Sequence, residues 1–509
     1  MVRKIPADLV LLLLITLASL SIYSINLSNL PSIVHGDEGE TALSAIEIMK
    51  NPTHLIGIGW FDLPLLSFVP HAIGMWIFGQ NILGNRMGSA IFGAMTIPFF
   101  YLFLRKLFNK TISVTATILL ATSHMWIALS RVGITYLQAT FFIILTFYFL
   151  FSGIKNNKKI YFILTGISLG LSMYSYYAVR VLPLLILPPL ISYFLEKRKL
   201  RDKLLNFFLL ISFAIIIFLP QGLFFLSNPE SFSSRTNMVY IFSPIAKQWT
   251  NYNKDNSGIL LEQTGRTLNI FAGDNSTQYG YKGQLIDYLS LFFFGLGLLS
   301  AFKLKTNLKL FLYLWLFFSV LGQILTSIPP PIFLPRFVIG LPILYIFITL
   351  GIFEFLKLMS FLRLKKIVGK ILFFCLIFIL IFTNIWTYFF RYPKTFISDS
   401  GSILSTKISN YINKLDRNSV VYFYTEPYLY ENYGTLRFLT PNVEKISMGV
   451  PGNNGDIEMP SSNHNGRNIF IIHPQYFFVL NKLVKIFPKG EIKNFNNTNV
   501  VQFYSLEVN

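Results

Sequence analysis

The sequence predicts an all-α polytopic membrane domain followed by a small soluble α/β domain, on three observations. The 509 residues are 53% apolar and only 13% charged, where soluble domains carry about a quarter charged residues. Mostly apolar runs recur from the N-terminus to about residue 390, close to the roughly 20 residues that a membrane-crossing helix needs. Beyond residue 390 short apolar strands alternate with amphipathic stretches, the pattern of a soluble α/β fold.

Eleven spans are read in order. The first six are Leu9 to Leu27, Gly84 to Leu104, Ile112 to Ala128, Tyr136 to Phe151, Ile160 to Tyr177 and Val181 to Leu195. The rest are Leu204 to Leu226, Leu285 to Phe302, Leu308 to Leu325, Phe337 to Leu356 and Ile371 to Phe389. With the N-terminus inside, six basic clusters fall in the cytoplasm, as the positive-inside rule requires: Arg3/Lys4, Arg105/Lys106/Lys110, Lys155/Lys158/Lys159, the group from Lys197 to Lys203, Lys303/Lys305/Lys309, and the group from Lys357 to Lys370. The short apolar stretch Leu63 to Phe78 carries Pro64, Pro70 and His71. A twelfth span there would turn every later cluster outside, so it reads as an interfacial or re-entrant helix. The opening MVRK and its apolar run lack a small-x-small cleavage site, which favours a retained first helix over a signal peptide. Three regions are then extracytoplasmic: loop 28–83, loop 227–284, and everything after Phe389, with the domain boundary at 390/391. In the tail, SVVYFYT, NIFIIHP and NVVQFYSLEV read as strands, and SILSTKISNYINKL and QYFFVLNKLVKIF as helices.

The formal charge of +20 does not point to nucleic acid, because the Lys and Arg residues sit between apolar runs as membrane-orientation signals do. Cys375 is the single cysteine and excludes an intramolecular disulfide. No Walker loop, Rossmann glycine pattern, CxxC or nucleophile elbow occurs, so ATP hydrolysis and nicotinamide chemistry have no support.

The 23 carboxylates are unevenly placed. Asp37, Glu38, Glu40, Glu47 and Asp62 crowd the first outer loop, and after Asp62 none occurs until Glu196. Arg86, Arg131, Arg180 and Arg336 fall at outer helix ends. An arginine near hydrocarbon needs a counter-anion or water, and a guanidinium fork suits phosphate. The bland alternative is snorkelling to headgroups, but four on the face opposite the basic clusters point to a shared phosphate. In HGDEGETALSAIEIMKN, Gly36 and Gly39 permit a tight turn presenting Asp37, with an interfacial helix from about Glu40 to Lys50. A positioned carboxylate serves as a general base toward a hydroxyl, whereas Glu38 and Glu40 equally suit capping that helix. Asp62 is either a second acid of the site or a helix cap. His35, His54 and His71 share the loop, so a divalent metal at His35 and His71 is conceivable, although no metal-binding spacing supports it. In loop 227–284, Arg235 and the stretch with Asp274, Tyr279 and Tyr281 form a polar and aromatic surface suited to sugar or to the membrane interface.

These features, in order, resemble a family. The Asp-Glu pair after the first span, DLPLL with a stretch ending FGQNILGNRMGSAIFG, SRVGITY, YSYYAVRVLP, GDNSTQYGYKGQLIDYLSLFFFGLGL and PRFVIGLP are similar to blocks of the C-type glycosyltransferase superfamily. The branch is that of protein O-mannosyltransferases and the lipid A aminoarabinose transferase, and the resemblance covers about residues 1–390. It implies transfer of a sugar from a polyprenyl-phosphate donor to a lipid, glycan or protein acceptor outside the cytoplasm. Asp37 matches the catalytic aspartate and Asp62 the second first-loop acid. DLPLL departs from the aminoarabinose branch in its flanks, which leaves sugar and acceptor open.

The expected site therefore has Asp37 as base, assisted by Asp62 and Glu38, with Arg86, Arg131, Arg180 and Arg336 on the donor phosphate. Tyr136, Tyr177, Asp274 and Tyr279 are candidate substrate contacts, and no cofactor is required. A lipid-linked glycan flippase or transporter is one rival, but no internal repeat or midplane charge supports it. A non-catalytic envelope assembly protein is the other.

Overall fold

The computed structural model describes residues 7–250, 254–271, 273, 283–326, 334–361, 366–394, 399–415, 419–452, 458–459, 467–497 and 500–508. They pack as two compact units, Met1–Pro31 with Ser44–Ile397, and Ser32–Leu43 with Ser398–Asn509.

The first unit is helical. Among the described residues, Ile82–Leu107, Tyr136–Asn156, Tyr177–Leu195, Leu200–Ser227, Thr306–Thr326, Arg336–Met359 and Ile367–Lys394 are long and apolar enough to cross a membrane. Lys110–Thr122 and His124–Ser130 make an eighth if the pair, bent by 58°, is one span. The bend falls at Ser123, whose side chain accepts a hydrogen bond from the Trp126 amide and starts the second helix afresh. Shorter apolar helices, Val10–Ser24, Lys159–Ser172 and Tyr288–Ala301, stand where three further spans were expected. Every apolar run read as a span is thus helical, but only seven or eight reach spanning length unaided. Aromatic rings fill the interior: Phe147 meets Trp315 edge-on with centroids 5.0 Å apart, and both are fully buried.

The two loops hold helices of their own. In the first, Leu65–Phe78 is a short apolar helix that starts beside Pro64, a residue unable to donate a backbone hydrogen bond. The second contains Pro229–Val239, Pro244–Thr250 and Asn256–Asn269.

The second unit is built on a five-stranded sheet of β1 (Val420–Tyr424), β2 (Glu444–Ser447), β3 (Asn468–Ile472), β4 (Glu491–Asn497) and β5 (Val500–Val508), in the order β2-β1-β3-β5-β4. β1 is parallel to β2 and β3, and β5 is antiparallel to β3 and β4. Alternation along β1 and β3 splits the core between two faces. Val421, Phe423, Ile469 and Ile471 pack with helix Ser400–Ile412, while Tyr422, Phe470 and Ile472 pack with helix Phe477–Ile486. The helices and three of the strands follow the sequence reading. β2 and β4 are additions, with few apolar residues because both lie at sheet edges and are half solvated.

Candidate active site

A cavity of about 390 Å³ opens in the first unit, with Tyr177, Arg180, Arg235 and Arg336 on its wall and Leu184, Phe318 and Leu325 among its apolar lining. Arg180 comes from the 3-10 turn Tyr177–Val181, Arg336 from the turn Leu334–Gly340, and Arg235 from helix Pro229–Val239. Two of the guanidiniums are held by rings. Arg180 lies over Tyr177 and Phe232, 4.4 and 4.1 Å from the centroids, and its Nη1 donates to Thr236 at 3.3 Å. Arg235 lies 3.9 Å over Phe61. Such stacking fixes a guanidinium plane without neutralising its charge.

Asp62 is bound into the same network. The Tyr177 hydroxyl donates to the carbonyl oxygens of Phe61 and Asp62, at 3.1 and 2.6 Å, and the Ser234 hydroxyl donates to the Asp62 carboxylate. Phe61 and Asp62 both have left-handed backbone, with φ of 55° and 56°. Non-glycine residues there cost about 1–3 kcal/mol each and persist only where surroundings over-determine them. The Tyr177 hydroxyl thus fixes the Phe61–Asp62 backbone and the Ser234 hydroxyl fixes the Asp62 carboxylate, beside the Phe61 ring on which Arg235 stacks. Asp62 caps no helix; the residue before its own 3-10 turn is Gly59.

The four expected phosphate ligands therefore divide. Arg131 is fully buried and committed to backbone. Its Nη1 donates to the carbonyls of Ile22 and Tyr23 at 3.0 and 2.9 Å, its Nη2 to those of Ile25 and Leu30, and its Nε to the Tyr388 hydroxyl at 3.0 Å. The Ile22 and Tyr23 carbonyls belong to the last turn of the first helix, Ala7–Ser24, which has no intrahelical donors and carries the negative end of the helix dipole, and those of Ile25 and Leu30 belong to the segment that follows. Arg86 is also fully buried, and its Nη1 donates to the carbonyls of Leu27 and Pro31 at 2.9 and 2.8 Å. Sequence position alone put both with Arg180 and Arg336. For Arg131 the structure corrects this, since its donors are already occupied.

Asp37 belongs to the second unit, in the first turn of helix Gly36–Lys50. That helix begins four residues earlier than expected. Gly36 and Gly39 serve close packing rather than a loop turn: a Cβ on Gly39 would stand 2.4 Å from the Gly434 backbone, and one on Gly36 would stand 2.6 Å from the Tyr433 hydroxyl. The Asp37 amide donates to His35 Nδ1 at 3.1 Å, and His35 Nε2 lies 3.1 Å from the Asp399 carboxylate. The Asp37 carboxylate also lies 3.8 Å from Nδ1, where it favours the charged imidazole. Burial opposes that charge, but Asp37, Asp399 and Glu38 outweigh it and hold the His35 pKa above its ordinary value. Asp399 is itself held low: burial raises it, but the bonds from His35 and Ser402 dominate. Glu38 is buried in the same first turn. Burial pushes the Glu40 carboxyl up against the pull of Arg437, 3.3 Å away.

Comparison with known proteins decides the architecture. The model of the dolichyl-phosphate-mannose-protein mannosyltransferase family matches residues 62–224. Undecaprenyl phosphate-alpha-4-amino-4-deoxy-L-arabinose arabinosyl transferases are similar in sequence. That of Pseudomonas aeruginosa is 28% identical over 33% of this chain and 32% of its own length, and one of Pseudomonas fluorescens is 29% identical over 38% and 37%. These alignments thus span about a third of the curated relatives. The crystal structure of ArnT from Cupriavidus metallidurans bound to undecaprenyl phosphate superimposes with a TM-score of 0.62 at 13% identity, covering 98% of this chain and 97% of that one. The apo oligosaccharyltransferase of Archaeoglobus fulgidus does so at 0.53 and 12% identity, covering 98% and 74%. The chain shares the fold of these two structures over nearly its whole length, and its residues 62–224 match the mannosyltransferase family model.

The remaining candidates are dispersed. Tyr136 packs edge-on against Tyr176 with centroids 4.5 Å apart. His71 is buried with Nδ1 2.8 Å from the Asn85 carbonyl. Among the described residues no three His, Cys, Asp or Glu side chains converge as metal ligands. Asp274 and Tyr279 lie outside the described residues. Sequence reasoning assigned no role to Ser234 or Asp399, and none to Arg235 beyond its loop. Asp399 was legible only as a helix cap, since its carboxylate accepts from the Ser402 amide at 2.7 Å.

Proposed function

We propose that the protein transfers a sugar from a polyprenyl-phosphate donor to an extracytoplasmic acceptor, with inversion at the anomeric carbon and Asp37 as general base. The observation carrying this reading is the cavity in which Arg180, Arg235 and Arg336 share a wall with leucine and phenylalanine side chains. A polyprenyl phosphate has the matching chemistry, a small anion on a long apolar tail, and guanidiniums suit the former as apolar walls suit the latter. The curated relatives, named for an undecaprenyl phosphate-linked sugar, support the same donor class.

In the proposed reaction Asp37 takes the proton from an acceptor hydroxyl as its oxygen attacks the anomeric carbon. The bond to the donor phosphate breaks on the opposite face, and the electron pair leaves with the polyprenyl phosphate. That phosphate is a weak base, so it needs no general acid. It needs charge stabilisation, which preorganised donors supply without reorganisation, here Arg180, Arg235 and Arg336. His35, anchored on Asp399, orients Asp37, and Asp62 is the second carboxylate. On this reading eleven helices span the membrane with the N-terminus inside and both loops and the C-terminal unit outside. The acceptor is a lipid, glycan or protein hydroxyl, and no nucleotide or metal takes part. The test is transfer by purified protein from a labelled undecaprenyl-phosphate sugar to envelope acceptors. Asp37→Asn is expected to lower the rate about 100- to 10,000-fold, and near-normal transfer by that variant would sink the mechanism.

A further inference from the structure

The C-terminal unit holds a second cavity, about 560 Å³, between helix Ser400–Ile412 and the edge strand β4. Four cations line it, Lys407, Lys414, Arg467 and Lys493, against the single carboxylate of Glu507. That carboxylate is almost wholly enclosed. Arg467 and Lys493 pair with it, the latter at 2.6 Å, and the Tyr411 hydroxyl donates to it. Glu507 thus answers two of the cations. Lys407 and Lys414 form no ion pair among the described residues, and seven residues apart they project from one side of the helix and the turn that follows. Partial burial lowers the Lys407 ammonium below its ordinary value.

The rest of the lining narrows the ligand. Asn410, Asn494 and Asn496 bring side-chain amides that donate and accept. Tyr411 and Phe495 form an aromatic floor, their centroids 4.7 Å apart, with Phe495 stacked on Phe503 at 4.2 Å. Cations for acidic groups, amides for hydroxyls and aromatic faces for the apolar side of a sugar ring are the chemistry of an acidic oligosaccharide. The volume lies within the about 300–1,000 Å³ usual for ligand sites. A flat membrane surface would be met by a convex basic face, not by a concave cleft with amides and rings inside it.

We propose that this cleft binds a carboxylate- or phosphate-bearing oligosaccharide, an anchoring site that lies wholly in the C-terminal unit and needs no transfer reaction. The test is isothermal titration of the full-length protein in detergent with hyaluronan tetrasaccharide as acidic probe and maltotetraose as neutral one. The acidic probe is expected to bind and the neutral one not to. Lys407→Gln with Lys414→Gln is expected to weaken binding about tenfold, as losing two partly exposed charged contacts implies, with an unchanged melting temperature. Absence of binding, equal binding of the neutral probe, or an unchanged affinity in the double variant would overturn it. So would inorganic phosphate binding as tightly as the tetrasaccharide, or displacement of the tetrasaccharide by phosphatidylglycerol vesicles, which would assign the cleft to a simple anion or a lipid surface. Transfer activity is not the readout, so the result is independent of the reaction proposed above.

Discussion

Arg131 and Arg180 look alike in sequence, each at the outer end of an apolar run with no acid nearby, yet the fold uses them differently. Arg131 donates to four carbonyls in and just after the first helix and to the Tyr388 hydroxyl. Arg180 stacks on two rings and leaves its charge on a cavity wall that also carries Arg235 and Arg336. A cation near hydrocarbon must be compensated, and for Arg131 backbone carbonyls occupy the donors that an anion would otherwise meet. Whether an arginine is structural or free to meet a ligand is settled by what its donors touch.

That difference is open to attack. The largest effect is expected at the structural arginine. Arg131→Met strands several buried carbonyls, each costing about 1–3 kcal/mol, so the protein should lose its cooperative melt in detergent or fail to accumulate. A stable, well-folded Arg131→Met protein would break the comparison from that side. Next is Arg180→Met, expected to lower transfer about 100- to 1,000-fold while leaving the melting temperature near that of the parent. If it unfolds the protein instead, the cavity arginine is structural too.

The smallest effect adds pH. His35 has a raised pKa, so its share of stability is complete below the ordinary imidazole value of 6.5 and is lost as pH rises through the raised value. Asp399 has a depressed pKa, so its share is complete above its ordinary 3.8 and is lost as pH falls through the depressed value. Thermal melts of the full chain should therefore show the second unit most stable between these limits. His35→Gln should flatten the alkaline decline. An unchanged profile would mean that His35 and Asp399 do not hold the Asp37 turn.

Much of this was legible beforehand. The apolar runs specify helices, because backbone groups in hydrocarbon must bond within their own segment. The short continuous apolar runs VVYFY and NIFII likewise specify strands buried on both faces. Edge strands were not legible: Glu444–Ser447 and Glu491–Asn497 have one solvated side and little apolar signal. Gly36 and Gly39 were visible as glycines, but not as the space that Tyr433 and Gly434 occupy, almost 400 residues away. Arg235 could not be told from an ordinary loop arginine until the Phe61 ring was beneath it.

The sequence by itself determined that this is a polytopic membrane protein with an α/β tail, that five acids crowd one loop and are followed by none until Glu196, and that arginines stand at the opposite ends of apolar runs from the lysine clusters. These are properties of local composition, which hydrocarbon and water sort without reference to distant residues. Only the tertiary structure decided which arginines are bound by carbonyls and which line a cavity, that Asp62 is held in strained backbone by Tyr177 and Ser234, and that the Asp37 turn packs within the C-terminal unit. Each of those depends on partners brought together from distant parts of the chain, and a side chain's chemistry is set by its partners.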